Sequence, residues 1–148
     1  MKSIKLKKLQ QKHINLLFKW HNLKSVINNS LKRRKIKLTE HKKWFYGQIK
    51  SKNIIKIIYY KKLPIGVIRL EKKKYNYFIS YLIIPSHRKR GFALNSLKLF
   101  LNKIKSKKVI KIVALVKKNN LPSIKIFKKL NFTLILNKSN VLTFKYKL

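Results

Sequence analysis

Three runs of β-branched and aromatic residues follow one another between residues 53 and 85, and they leave this chain few ways to fold. "NIIKIIYY" (53–60), "IGVIRLEKK" (65–73) and "YNYFISYLIIP" (75–85) have strand composition and hairpin-sized separations, with "KKLP" as a turn-like break at Pro64. Such spacing predicts an antiparallel meander, and Pro85 closes its third strand. From Gly91 the period changes. Ala93, Leu97, Leu101 and Ile104 fall at i, i+4, i+8 and i+11, with Leu94 and Phe100 beside them, which predicts a helix to about Ser106. "VIKIVALV" (109–116) is then a nearly unbroken apolar run, as expected of a strand covered on both faces. A strand–helix–strand unit of this kind puts its two strands parallel. The chain must therefore build a sheet that is antiparallel in its first half and parallel at the junction.

The flanking segments extend that sheet. "SIKLKKL" (3–9) alternates apolar and basic residues and reads as a first strand. "QQKHINLLFKWHN" (10–22) places Ile14, Leu17, Phe18 and Trp20 at mostly helical spacing, and a short helix continues through "LKSVINNSL" (23–31). Thr39 is the expected N-cap of "EHKKWFYGQIKS", whose Trp44, Phe45 and Ile49 form one apolar side. "NLPSIKIFKKLN" (120–131) predicts a further helix, with Pro122 in its first turn and Asn131 where a left-handed C-cap residue falls. "FTLIL" (132–136) and "VLTFKYKL" (141–148) form a final hairpin around "NKSN". The order β–α–α–β–β–β–α–β–α–β–β describes an α/β mixed, mostly antiparallel sheet flanked by helices, in a single domain spanning 1–148.

Composition removes several kinds of chemistry. The chain has 40 Lys+Arg against 2 Asp+Glu, a net charge of +38, and no cysteine. Disulfides, thiolate zinc sites and cysteine nucleophiles are excluded. Two-carboxylate catalysis would have to use Glu40 and Glu71 alone, and carboxylate-rich Mg²⁺ sites are ruled out. His13, His21, His41 and His87 show no paired HxxxH spacing, so no metal is expected. No apolar run approaches the roughly 20 residues of a membrane span, and "MKSIKLKKLQ" lacks the apolar stretch of a signal peptide; a cytoplasmic protein, monomer or homodimer, is expected. The positive field attracts polyanions non-specifically, nucleic acid included. Because the lysines run from end to end, that attraction marks no particular site.

One turn carries more information than its charge. "PSHRKRGFA" joins the strand ending at Pro85 to the helix beginning near Gly91. N–H groups at a helix start lack intrahelical acceptors, and the helix dipole adds to their pull on an anion. Gly91 permits the bend and Ala93 leaves the first turn uncluttered. The turn is neither a GxxxxGK[ST] nor a GxGxxG loop.

"HRKRGFA" fits R-x-x-G-x-[GA] through Arg88, Gly91 and Ala93, and so resembles the pyrophosphate-binding motif of the GCN5-related N-acetyltransferases. "ISYLIIPSHR" is similar to the strand that precedes that motif in the family. "VALVKKNNLPSIKIFKKLNF" is similar to the segment after it, with Val116, Asn120, Ser123, Phe127 and Phe132 in register. The resemblance implies acetyl-CoA, without a metal, in a gap where the fourth and fifth strands splay apart. Backbone groups of Leu82 and Ile83 would pair with the pantetheine arm. N–H groups of Arg88, Lys89, Arg90, Gly91, Phe92 and Ala93 would hold the pyrophosphate, and Asn120 and Phe127 would meet the cofactor from the far side. An amine would attack the thioester directly, with a backbone N–H of the fourth strand stabilising the oxyanion.

The chain departs from that family in two respects. Many relatives carry a tyrosine that protonates the leaving thiolate where this chain has Phe127, and some carry a glutamate base where it has Leu115. Glu71 is the best remaining base, with His41 and Tyr81 as alternatives and water as another. Strand alternation puts Val67, Arg69 and Glu71 on one face, so Arg69 and Glu71 together are expected to reach the acceptor; the competing reading pairs them with each other. "TEHKKWF", "PIGVIRLE" and "FISYLIIP" resemble the branch that acetylates nucleotide-linked amino sugars, familiar from the pseudaminic acid pathway, which implies a small anionic acceptor. Acetylation of protein N-termini, ribosomal proteins above all, is a second reading. A non-catalytic acetyl-CoA- or RNA-binding module is a third.

Overall fold

A computed structural model describes residues 3–105 and 111–147. Its elements are β1 (Ile4–Lys8), α1 (Ile14–His21), α2 (Lys24–Asn29), α3 (Leu38–Lys50), β2 (Ile54–Tyr60), β3 (Leu63–Lys73), β4 (Asn76–Ile83), α4 (Phe92–Ile104), β5 (Lys111–Lys117), α5 (Leu121–Lys129), β6 (Thr133–Lys138) and β7 (Val141–Lys147). The seven strands form one sheet in the order β1-β2-β3-β4-β5-β7-β6. The expected meander is present, β2 to β3 to β4 antiparallel, and β4 lies parallel to β5. Ser106, Val109, Ile110 and Leu148, where the sequence placed the end of a helix, the start of a strand and the end of the last strand, lie outside the described residues. Among those described, no helix is long and apolar enough to cross a membrane.

Local chemistry explains where the elements differ from expectation. The helix after β1 breaks at Asn22, whose side chain turns away to bond Ile36, donating to its carbonyl (3.0 Å) and accepting from its N–H (2.7 Å). Leu23 is consequently extended and α2 starts afresh. Thr39 is not an N-cap: the His41 N–H already bonds the Lys37 carbonyl (2.9 Å), so Lys37 fills the cap position. Pro64 does not break the chain either. The turn is made at Lys61, with φ 56°, and Pro64 lies inside β3 opposite Tyr59, beside a register shift that tolerates a missing donor. Ser139 and Asn140, both at positive φ, make the last hairpin a two-residue turn, tighter than "NKSN" suggested. Asn131 takes its left-handed conformation after α5 at φ 66°.

Each face of the sheet carries its own core. Ile58, Ile68, Leu70, Ile79 and Ile112 meet Phe92, Leu97, Phe100 and Phe127 from α4 and α5. On the opposite face Ile55, Ile57 and Val67 meet Leu17, Trp20 and Phe45 from α1 and α3. Gly66 lets β3 and β4 approach closely between these layers, since a Cβ there would run into the Leu82 carbonyl. β4 pairs with β5 only at Tyr77↔Ile112 and Phe78↔Val113. Past those partners the strands part, β4 running on to Ile83 and β5 to Lys117. The resulting gap opens toward the start of α4.

Candidate active site

The turn between β4 and α4 is built from one 3-10 turn and two left-handed residues. Pro85–His87 makes the first bend, and Lys89 (φ 60°) and Gly91 (φ 80°) complete it. The first bond of α4 runs from the Asn95 N–H to the Gly91 carbonyl (3.1 Å). The N–H groups of Phe92, Ala93 and Leu94 therefore stand ahead of the helical ladder, at its positive pole. The side chains at the turn have separate tasks. Arg88 Nε donates to the Ile83 carbonyl (2.8 Å) and its N–H to that of Pro85 (3.3 Å). Arg88 is thus a brace for the strand end, and its own N–H is already engaged, contrary to the pyrophosphate contact expected of it. Phe92 is only 2% exposed and contributes its N–H alone. The Arg90 guanidinium stacks on the Phe92 and Tyr60 rings (5.0 and 5.7 Å), which keeps its charge beside the helix start.

The gap itself is walled by β4 and by the first turn of α5. Ile84 N–H donates to the Ile65 carbonyl (2.9 Å). The β3–β4 register is unbroken, so alternation turns the Leu82 backbone toward β3 as well and turns Tyr81 and Ile83 toward the gap. This corrects the expectation for Leu82: its N–H and carbonyl belong to the β3–β4 pairing. Across the gap, Tyr81 Oη and Ser123 Oγ are hydrogen-bonded at 2.6 Å. Asn120 caps α5, its Oδ1 accepting from the Ser123 N–H (3.4 Å), and its Nδ2 is the donor it can offer a ligand. Phe127, 2% exposed, meets the Tyr81 ring edge-on at 6.0 Å and extends into Phe132 and Phe144; it is a packing residue under the gap. Burial holds the Tyr81 phenol above its ordinary pKa, against the opposing pull of Ser123 and Arg88. A phenol held that way is a proton donor near neutral pH, contrary to the base role entertained for it.

The α1–α3 face brings together residues far apart in sequence. Arg69 and Glu71 do share it, with Arg69 Nε donating to Ser80 Oγ (3.2 Å) and Glu71 Oε1 at 3.7 Å. The Arg69 guanidinium stacks on Trp44 at 5.4 Å. Its burial pushes its pKa down while Glu71 pulls it back. Glu71 lies opposite Phe78, the last β4 residue before the gap. His41 is no surface histidine: it is 1% exposed, its Nε2–H donates to the Ile14 carbonyl (2.8 Å), and its Nδ1 is buried without a partner. It stands inside a ring cluster with Phe18, His21, Trp44 and Phe45, which removes it as a base with open access to an acceptor. His21, 5.4 Å from Trp44, has an equally orphaned Nε2. Burial first, then the charge of Arg69, lowers its pKa to about 3. Glu40, the other carboxylate, is held by Arg34 through two contacts of 2.9 and 2.8 Å on the surface, well away in role from any site. Lys117 Nζ donates to the Asn28 carbonyl (2.8 Å) and ties α2 to β5 over this same face. Sequence reasoning missed Ser80, Trp44, His21 and Gly66, whose parts depend on pairings that no local pattern announces.

A mixed sheet whose one parallel pair opens beside a glycine-led helix start is the frame of an N-acetyltransferase. The acetyltransferase (GNAT) domain model matches residues 3–133, and the chain belongs to that family. No curated protein matches the sequence. Solved structures share its fold. A domain from Methanocaldococcus jannaschii is 20% identical, with a TM-score of 0.89 and 98% of both chains covered. The spermidine N-acetyltransferase of Vibrio cholerae, solved with CoA and spermine, is 14% identical at a TM-score of 0.84, covering 98% of this chain and 94% of its own. A ribosomal-protein alpha-N-acetyltransferase in complex with coenzyme A is 15% identical at a TM-score of 0.84, covering 100% and 96%. At these identities the likeness is one of fold.

Proposed function

We propose that the protein transfers an acetyl group from acetyl-CoA to a primary amine by direct attack, with no covalent enzyme intermediate. The observation that carries this reading is the gap: β4 and β5 pair at two positions and then separate beside the unpaired N–H groups of α4. Acetyl-CoA supplies an acetyl thioester and a pyrophosphate. The N–H groups of Lys89 to Ala93, with Arg90 beside them, take the pyrophosphate. The Ile83 N–H and the Tyr81 backbone, turned into the gap, take the pantetheine and the developing oxyanion. Asn120 adds a donor from α5. Arg69 and Glu71 meet the acceptor on the opposite face, Glu71 or water receiving the amine proton.

The acceptor is read from charge as much as from shape. Both carboxylates of the chain are engaged by arginines, so none stands free to hold a polycation, whereas 40 Lys+Arg favour an amine on an anionic carrier. The resemblance of "TEHKKWF" and "FISYLIIP" favours a nucleotide-linked amino sugar. A second reading, an acidic protein N-terminus, draws on the shared fold with the ribosomal-protein enzyme. Release of thiol from acetyl-CoA decides between them. Turnover with UDP-linked amino sugars supports the first, turnover with acidic N-terminal peptides supports the second, and no thiol release with any amine overturns transfer altogether.

A further inference from the structure

The Tyr81–Ser123 hydrogen bond joins β4 to α5 across the gap, and the proposed chemistry has not used it. Three observations bear on it. Tyr81 is the residue whose own backbone faces the gap, so its side chain starts at the wall where the thioester is expected. Its phenol crosses the floor of the gap to the first turn of α5, passing edge-on to Phe127 at 6.0 Å. The charged group around it is Arg88 from the turn; Ser123 and Phe127 face it from α5, and Ile68 opposes it on β3.

We propose that Tyr81 is the general acid of the reaction, giving its phenolic proton to the sulfur that leaves the acetyl group; this rests on acetyl-CoA occupying the gap. The amine nitrogen forms a bond to the carbonyl carbon, the carbon–sulfur bond breaks, and its electron pair goes to sulfur. The Tyr81 proton follows onto sulfur, giving the free thiol. The proton lost from the amine passes to Glu71 or water, and the tyrosinate is reprotonated from solvent. Either hydroxyl of the pair can be the donor in the 2.6 Å bond. With Ser123 donating, the Tyr81 O–H is free to point into the gap, and Ser123 remains bonded to the tyrosinate as it forms. Arg88 supplies positive charge to the same anion. Burial keeps the phenol protonated between turnovers. The donor thus comes from strand β4, and Phe127 is left to pack beneath it.

Binding and kinetics test the assignment separately. Calorimetry at pH 8.5 with coenzyme A and desulfo-coenzyme A reads the contact to sulfur without turnover. The wild type is expected to prefer coenzyme A by about tenfold, the scale of a hydrogen bond to a charged group, and Tyr81→Phe to lose that preference while binding desulfo-coenzyme A normally. In turnover, Tyr81→Phe should lower kcat about 100-fold with little change in the acetyl-CoA KM and remove the alkaline limb of the pH profile. Tyr81→Phe combined with Phe127→Tyr should recover part of kcat, and Ser123→Ala should cost less than Tyr81→Phe. A Tyr81→Phe variant that keeps its sulfur preference or its kcat overturns the assignment, as does a Ser123→Ala variant that loses more than Tyr81→Phe. Failure of the wild type to bind either ligand would instead overturn the reading on which the assignment rests.

Discussion

The two faces of the sheet are organised in opposite ways. The cofactor side is nearly continuous in sequence: β4, the Arg88–Ala93 turn and the start of α4 follow one another, answered by Asn120 and Ser123 directly after β5. The groups proposed to act there are backbone N–H donors, so small residues and left-handed geometry count for more than side-chain identity. The α1–α3 side is assembled from distant pieces: His21 from α1, His41 and Trp44 from α3, Arg69 and Glu71 from β3, and Ser80 from β4. Backbone geometry suits a donor molecule common to many enzymes. Side chains gathered from several elements suit an acceptor that differs from one enzyme to the next.

If that division is real, the two sides should respond separately to substitution. Glu71→Gln should lower kcat/KM for the acceptor by about 100-fold and leave acetyl-CoA affinity unchanged; Glu40→Gln, on the surface with Arg34, should change neither. Loss of acetyl-CoA binding in Glu71→Gln would break the comparison. Gly66→Ala tests the layer that the two sides share. The added Cβ meets the Leu82 carbonyl, and forcing β3 from β4 should destabilise the fold by about 2 kcal/mol in urea unfolding and weaken cofactor and acceptor together.

Acidification reads the α1–α3 side alone. His21 has a folded pKa of about 3 against about 6.5 unfolded. Below pH 6.5 the unfolded chain takes up a proton that the folded chain refuses, so stability falls as pH falls and keeps falling toward pH 3. Between pH 6.5 and pH 5 this contributes about 2 kcal/mol of destabilisation. His41 and His13, also lowered by burial, act in the same direction. His21→Gln should flatten the pH dependence of urea midpoints in that window; an unchanged slope would remove His21 from the account.

How much of this could be read beforehand follows the same division. The turn at Gly91 was legible because strand, bend and helix start are adjacent, and the two left-handed residues only fixed its shape. Arg69 and Glu71 were legible because strand alternation is a local rule. The direction of the Leu82 backbone was not, since its parity depends on its pairing with Val67 in β3. The burial of His41 was not legible, because the groups that bury it, Ile14, Phe18 and His21, come from another helix. Asn22 read as helix because nothing local announced its bonds to Ile36. Local order carries the cofactor side, and tertiary assembly carries the other.

Gly91→Glu tests whether backbone donors at the start of α4 hold acetyl-CoA. Gly91 sits at φ 80°, and glutamate there adds both bulk and negative charge where the pyrophosphate belongs. Titration calorimetry with acetyl-CoA should show affinity reduced by at least about 100-fold while the far-ultraviolet dichroism matches the wild type. Wild-type affinity in a folded Gly91→Glu variant would contradict the account.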